Sequence, residues 1–245
     1  RHLDSSEKLT DRNVSVSMDG NVIEAAETGV DMDIENSYGT GNVTLADNRI
    51  DVTDYALFVT LDGGEMELNL SATNNTLTGN SINGGRLILA DPTAPGAPGT
   101  RDVTLSNNNV TAGSEGIYLE AERQGLTVNV TALDNTVTST GSFEDGILAE
   151  LSADQMTVDA NVSGNELDAD GDAVVIETFS PEMTTALTVA ENVIEPGSKA
   201  GIVLDGGDNQ TATWRVRDNE IGQRRTGIER SEERRVGKEC TLRCR

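Results

Sequence analysis

Histidine, cysteine and aromatic side chains are scarce in this 245-residue chain, which has one His, two Cys, one Trp, three Tyr and three Phe. Each shortage removes a class of chemistry. The only imidazole is His2, so no Ser–His or Cys–His nucleophile system can be assembled. Cys240 and Cys244 both lie in the last six residues. The rest of the chain offers neither a disulfide nor a Cys/His zinc spacing, which fits a reducing cytosol and an exported bacterial protein alike. No run of about 18 apolar residues occurs, so no membrane span is expected. No glycine-rich phosphate loop opens a helix, and "GSEG" at 113–116 is not a nucleophile elbow. Basic residues are few as well: 18 Lys and Arg stand against 42 Asp and Glu, a net charge of −24. That balance repels nucleic-acid phosphates and anionic lipid.

Residues 230–240 read "RSEERRVGKEC", which is the translation, in one frame, of a widely used short-read sequencing adapter. Residues 230–245 are therefore read as a non-native, disordered tail. The tail holds six of the 18 basic and three of the 42 acidic residues, so the remainder carries 12 and 39, a net −27. Residues 1–13 are read as a ragged segment with a truncated rung, and 14–229 as the native domain. The chain opens on Arg1 rather than Met, so it is expected to continue at both ends.

What the chain has in quantity is a repeat. Asparagine followed two residues later by an aliphatic recurs at Asn21, Asn48, Asn75, Asn108, Asn135, Asn165, Asn192 and Asn219. The intervals are 27, 27, 33, 27, 30, 27 and 27 residues. The longest holds a Pro/Gly-rich insertion, "DPTAPGAPGTR" at 91–101, and the next longest holds the extended turn "TSTGSFEDG". A fixed period in this range means a stacked architecture. Around each Asn, aliphatic positions such as Val103, Leu105 and Val110 alternate with polar ones, the mark of half-buried strands. Farther on, a Gly or Ala usually opens another alternating run, as in "GIYLE" from Gly116 and "GIVLD" from Gly201.

Each copy thus holds three short strands, and about eight copies stack into an all-β parallel β-helix. The strings "VTLADNRI", "VTLSNNNV" and "LTVAENVI", with "GIYLE" and "GIVLD" after them, resemble the right-handed parallel β-helix repeats of pectate-lyase-like proteins over about 14–229. The resemblance implies a right-handed solenoid and no particular activity. The eight asparagines are read as structural. Asn tolerates the left-handed conformation that a corner between strands needs, and stacked amides form ladders.

Outward residues of the third strand form two columns when the repeats are aligned. The first reads Asp31, Phe58, Ile88, Tyr118, Leu148, Val175, Val203; the second reads Asp33, Thr60, Ala90, Glu120, Glu150, Glu177, Asp205. Phe58, Ile88, Tyr118, Leu148, Val175 and Val203 make a continuous apolar stripe. It is a candidate binding surface unless a loop or neighbouring segment covers it. Glu120, Glu150, Glu177 and Asp205 are the only catalytic candidates. At the strand spacing, adjacent carboxylates lie about 5 Å apart and alternate ones about 10 Å, which brackets glycosidase pairs. Enzymes of the pectate-lyase-like fold often work on such a face, but a lyase of that kind also needs Arg or Lys there, and these columns contain neither. "LDGG" at 61–64 and 204–207 reads as tight turns; no metal is assigned, and weakly held calcium is the only cofactor considered. On the first strand, outward pairs such as Asn42/Thr44 and Asn129/Thr131 resemble the faces of ice-binding solenoids, with Asn or Asp replacing one Thr. Ordinary solvated surface is the plainer reading.

These features point to a fragment of an exported bacterial surface or secreted protein. It would act as a rigid adhesive or structural scaffold, similar to autotransporter passenger regions. Its partner would be an extended glycan or a host or cell-surface molecule, and its place the cell surface or extracellular space. The alternative is a polysaccharide-active enzyme, a glycoside hydrolase or lyase, using the carboxylate ladder. Several long loops would wall an enzyme groove, and only 91–101 is long, which favours the scaffold.

Overall fold

The computed structural model describes residues 13–24, 27–35, 39–62, 66–79, 84–88, 99–207, 210–232 and 241–244. Among these residues all regular structure is β-strand. A typical rung is Thr127–Leu133, Thr136–Ser139 and Ile147–Leu151. Each strand pairs in parallel with its counterparts in the neighbouring repeats, so the described chain winds through three sheets, the first of nine strands and the second and third of eight. The fold is a parallel β-helix, as the repeat predicts. Thr211–Ile221 runs through a corner and joins the first sheet to the second. Thr241–Cys244 pairs in parallel with that same strand at the end of the first sheet. No helix among the described residues is long and apolar enough to cross a membrane.

The sequence makes strands because its alternation buries one face. In Thr127–Leu133 the inward Val128, Val130 and Ala132 are buried and the intervening residues are half-exposed. β-branched residues suit that pleated, half-buried surface. Register then stacks like on like: Val103, Val130, Ala160, Leu187 and Trp214 are successive Cα partners. The core is a long column of such aliphatics. Its one large aromatic, Trp214, donates its indole N–H to Thr185 Oγ1 at 2.9 Å.

The corner between the first and second sheets differs from the expectation in one respect. The left-handed residue is the one before each repeating Asn, not the Asn itself. It is Asp47, Asn74, Asn107, Asp134, Glu191 and Asp218, with Gly20 and Gly164 in the remaining copies. That residue turns the chain and leaves its side chain outside, while the following Asn points inward. From Asn48 to Asn219 these amides are buried. Each Oδ1 accepts the backbone N–H and the Nδ2–H of the Asn one rung earlier, as Asn135 does from Asn108 at 2.9 and 3.0 Å. From Asn48 to Asn192 each Nδ2 donates forward to the next Oδ1 and back to a first-sheet carbonyl, as in Asn135, and Asn219 at the end of the ladder donates to the Val189 and Arg217 carbonyls. The burial of a polar column is offset because its hydrogen bonds are complete.

Candidate functional site

The third sheet runs from Val30–Glu35 through Leu57–Asp62, Gly85–Ile88, Ile117–Ala121, Ile147–Leu151, Val174–Thr178 and Ala200–Gly206 to Thr226–Glu232. Its register corrects the reading of one rung. Gly85 pairs with Ile117, Arg86 with Tyr118, Leu87 with Leu119 and Ile88 with Glu120. The outward columns are therefore offset by two residues there. Arg86, not Ile88, sits between Phe58 and Tyr118, and Ile88 sits beside Thr60 and Glu120. Leu89 and Ala90 lie outside the described residues, as do His2, Cys240 and most of the 91–101 insertion.

The physical reason is the small residue that must open each third strand. A Cβ on Gly116 would lie 2.2 Å from Val137 Cγ1 and 2.6 Å from the Gly146 carbonyl oxygen. Gly84 occupies the same position, with a Cβ blocked at 2.2 Å by Val110 Cγ1. Gly84 thereby fixes the register, and Gly85 takes the place of the first inward aliphatic. A reading that seeks two inward leucines slips past it.

Arg86 breaks the apolar stripe and gives the face a cation. Its guanidinium lies 5.1 Å from the Tyr118 ring centroid and 6.0 Å from that of Phe58, both within cation–π range. Its Nη2 donates to Glu120 Oε2 at 3.2 Å. Burial works against the charge, but hydrogen bonds to Tyr55 and Glu120 outweigh it and hold the pKa above its ordinary value. Nε is buried without a hydrogen-bond partner. Tyr55, from the preceding turn, packs on Phe58 with ring centroids 5.1 Å apart. Tyr118 donates its hydroxyl to Glu150. Burial first, then that bond and the nearby carboxylates, push the phenol pKa well up, so Tyr118 remains a donor.

Beyond this cluster the face changes character. Leu148 and Val203 are half-buried, and Val175, expected outward and open, is covered at 4% exposure. Glu150, Glu177 and Asp205 stack directly on one another. Burial raises the pKa of Glu177, and repulsion from Glu150, Asp205 and Asp145 raises it further. Asp145 sits at the adjoining corner, its Oδ1 accepting the Asp172 N–H at 2.8 Å and lying 3.7 Å from Lys199 Nζ. Its pKa is also raised, chiefly by burial. Among the described residues no group of three or more His, Cys, Asp or Glu is arranged to hold a metal ion. A concavity of about 310 Å³ on the second sheet is lined by Thr136, Thr138, Glu166, Asp168, Glu195 and Pro196.

The third-sheet face thus brings together Phe58, Tyr118, Glu120 and Glu150 with two residues the sequence did not single out, Tyr55 and Arg86. The small-residue column at Gly84 was the signal that would have found Arg86. Tyr55 lies in a turn, where alternation gives no direction. Compared with protein-family models, curated proteins and solved structures, the chain matched none.

Proposed function

We propose that this chain is the rigid β-helical part of an exported bacterial surface or secreted protein, and that it recognises an extended glycan along its third-sheet face. One observation carries the reading: an aromatic, cationic and carboxylate cluster sits on an outward strand face that continues along the solenoid axis. Phe58 and Tyr118 offer ring surfaces for sugar C–H faces. Glu120 and Glu150 offer acceptors for hydroxyls, and Arg86 Nε is a buried donor still to be satisfied. A coil of stacked rungs holds these groups at fixed separations, which lowers the ordering cost of binding. A scaffold of this kind suits the adhesin-like and pectate-lyase-like resemblances of the repeat.

A second reading is supported by Arg86. A polysaccharide lyase needs a basic residue on this face, and Arg86 supplies one beside Glu120. Glu177, with its raised pKa, is the acid candidate of that reading.

The test is a glycan and polysaccharide binding screen of the 245-residue chain, with and without calcium, against Phe58→Ser/Tyr118→Ser. The expected result is binding to one glycan class, weakened at least tenfold in the double variant. Release of shortened or unsaturated products from the bound glycan would move the assignment to the enzyme. No binding to any glycan would remove the recognition reading.

A further inference from the structure

The structure carries the third-sheet face one column farther than the two columns read from the sequence. The last inward residues of Ile117–Ala121, Ile147–Leu151 and Val174–Thr178 are Ala121, Leu151 and Thr178, all fully buried. The residues after them, Glu122, Ser152 and Phe179, return to the outward side, with Glu122 and Phe179 exposed and Ser152 half-exposed. One rung on, the same position is Gly207, whose N–H donates to the Thr178 carbonyl oxygen at 2.7 Å. A Cβ on Gly207 would lie 2.2 Å from the Phe179 carbonyl oxygen, so no side chain can stand beside Phe179 on that side. Phe179 is 49% exposed, in a chain with only seven Phe, Tyr and Trp residues.

Tyr118, Glu150 and Phe179 lie on one diagonal of this face. Tyr118 stands in the first outward column, Glu150 in the second column one rung on, and Phe179 in the third column one rung farther. The first step of the diagonal is a hydrogen bond, from the Tyr118 hydroxyl to Glu150. Over the same interval the first column closes, since Leu148 is half-buried and Val175 is buried. The open apolar surface therefore moves from the first column to the third between the rung of Tyr118 and that of Phe179. Two strand spacings and four residues along the strand separate these two positions by about 16 Å, the reach of a chain of roughly four sugars.

We infer that the glycan crosses the third sheet on this diagonal, with one sugar on Tyr118 and another on Phe179, and that it is a chain without acidic groups. The inference rests on the glycan reading above and adds to it a direction, a length and a charge. Sugars between the two rings pass over Glu150 and Glu177. Glu120 is already paired with Arg86, but from Leu148 to Asp205 the three outward columns contain no Lys or Arg. A sugar hydroxyl donates to a carboxylate without adding charge, whereas a uronate would set a like charge beside the stack, in a chain of net charge −24. Burial and repulsion already hold the Glu177 pKa above its ordinary value, and a further anion would raise it again.

The experiment is calorimetric titration of the full 245-residue chain with cello-, xylo- and manno-oligosaccharides from disaccharide to hexasaccharide, and with oligogalacturonides of the same lengths. It is run beside Phe179→Ser and beside Phe143→Ser, the other exposed phenylalanine, at the corner between the second and third sheets. Circular dichroism checks that each variant keeps its β spectrum. The expected result is an affinity for one neutral series that rises at least tenfold from disaccharide to hexasaccharide. That gain is lost in Phe179→Ser and kept in Phe143→Ser. A hexasaccharide bound equally by the parent chain and Phe179→Ser would overturn the inference, as would an equal loss in Phe143→Ser or tighter binding of galacturonides than of any neutral series. A polysaccharide bound in the screen above, with no neutral hexasaccharide bound, would overturn it and leave glycan recognition standing. Binding of no glycan at all would remove both.

Discussion

Asn135 makes four hydrogen bonds with its side chain. Oδ1 accepts from Asn108 N and Nδ2 at 2.9 and 3.0 Å, and Nδ2 donates to Asn165 Oδ1 and the Leu105 carbonyl oxygen, each at 2.9 Å. Asn135→Ala removes all four and leaves the Asn108 backbone and Nδ2 N–H groups without this acceptor in the interior. Each unsatisfied buried group costs about 1–3 kcal/mol, so the expected loss is on the order of 3 kcal/mol or more. Asn21, exposed at the end of the ladder, is the internal control. Asn21→Ala should cost less than about 1 kcal/mol, the worth of bonds made in contact with water. Urea unfolding of both variants checks this, and equal losses would mean the ladder is not what stabilises the corner. The asparagines were legible in the sequence because the same amide recurs at the same step. The left-handed residue before them was not. It is variously Asp, Asn, Glu or Gly, since the corner dictates a backbone angle and the outward side chain has little to specify.

Strands were legible where two inward aliphatics framed an outward residue, and the parallel stack followed from the period. The rung at 84–88 shows what this leaves out. Periodicity registers side chains and cannot register their absence, so Gly85 was passed over and Ile88 was read into the place that Arg86 occupies. The structure shows the price of that glycine as a void of about 10 Å³ lined by Leu57, Leu77, Leu87, Leu105 and Ile117, among others. A Cβ on Gly85 meets nothing within 4 Å, and its φ lies outside the left-handed region. Gly85→Ala should therefore stabilise the fold by about 1 kcal/mol, from reduced freedom of the unfolded chain and one more buried methyl. Gly116→Ala should do the opposite, because its Cβ lies 2.2 Å from Val137 Cγ1. Thermal melts of the pair test the register itself. A loss of stability in Gly85→Ala would mean that rung is not threaded as described.

At the scale of the molecule, stacking confers both order and repulsion. The same register that aligns aliphatics inside aligns Glu150, Glu177 and Asp205 outside, in a chain of net charge −24. Like charges directly opposite on neighbouring strands destabilise a sheet by roughly 0.2–1 kcal/mol. Burial and these neighbours raise the Glu177 pKa in the folded state. In the window between its ordinary and raised values the folded chain holds more protons than the unfolded one, so stability falls as pH rises through that window. Above it, the ionised side chain carries its full penalty; below both values, the penalty is gone. Glu177→Gln should melt higher than the parent chain at neutral pH by an amount equivalent to about 0.2–1 kcal/mol. The advantage should shrink as pH falls through the raised Glu177 pKa toward the ordinary glutamate range. Other carboxylates titrate in both proteins and largely cancel in the difference. Melting temperatures of the two proteins across that range decide it. A gap of constant size at every pH would trace the gain to packing rather than charge, and no gap at neutral pH would mean that solvent screens the stack completely.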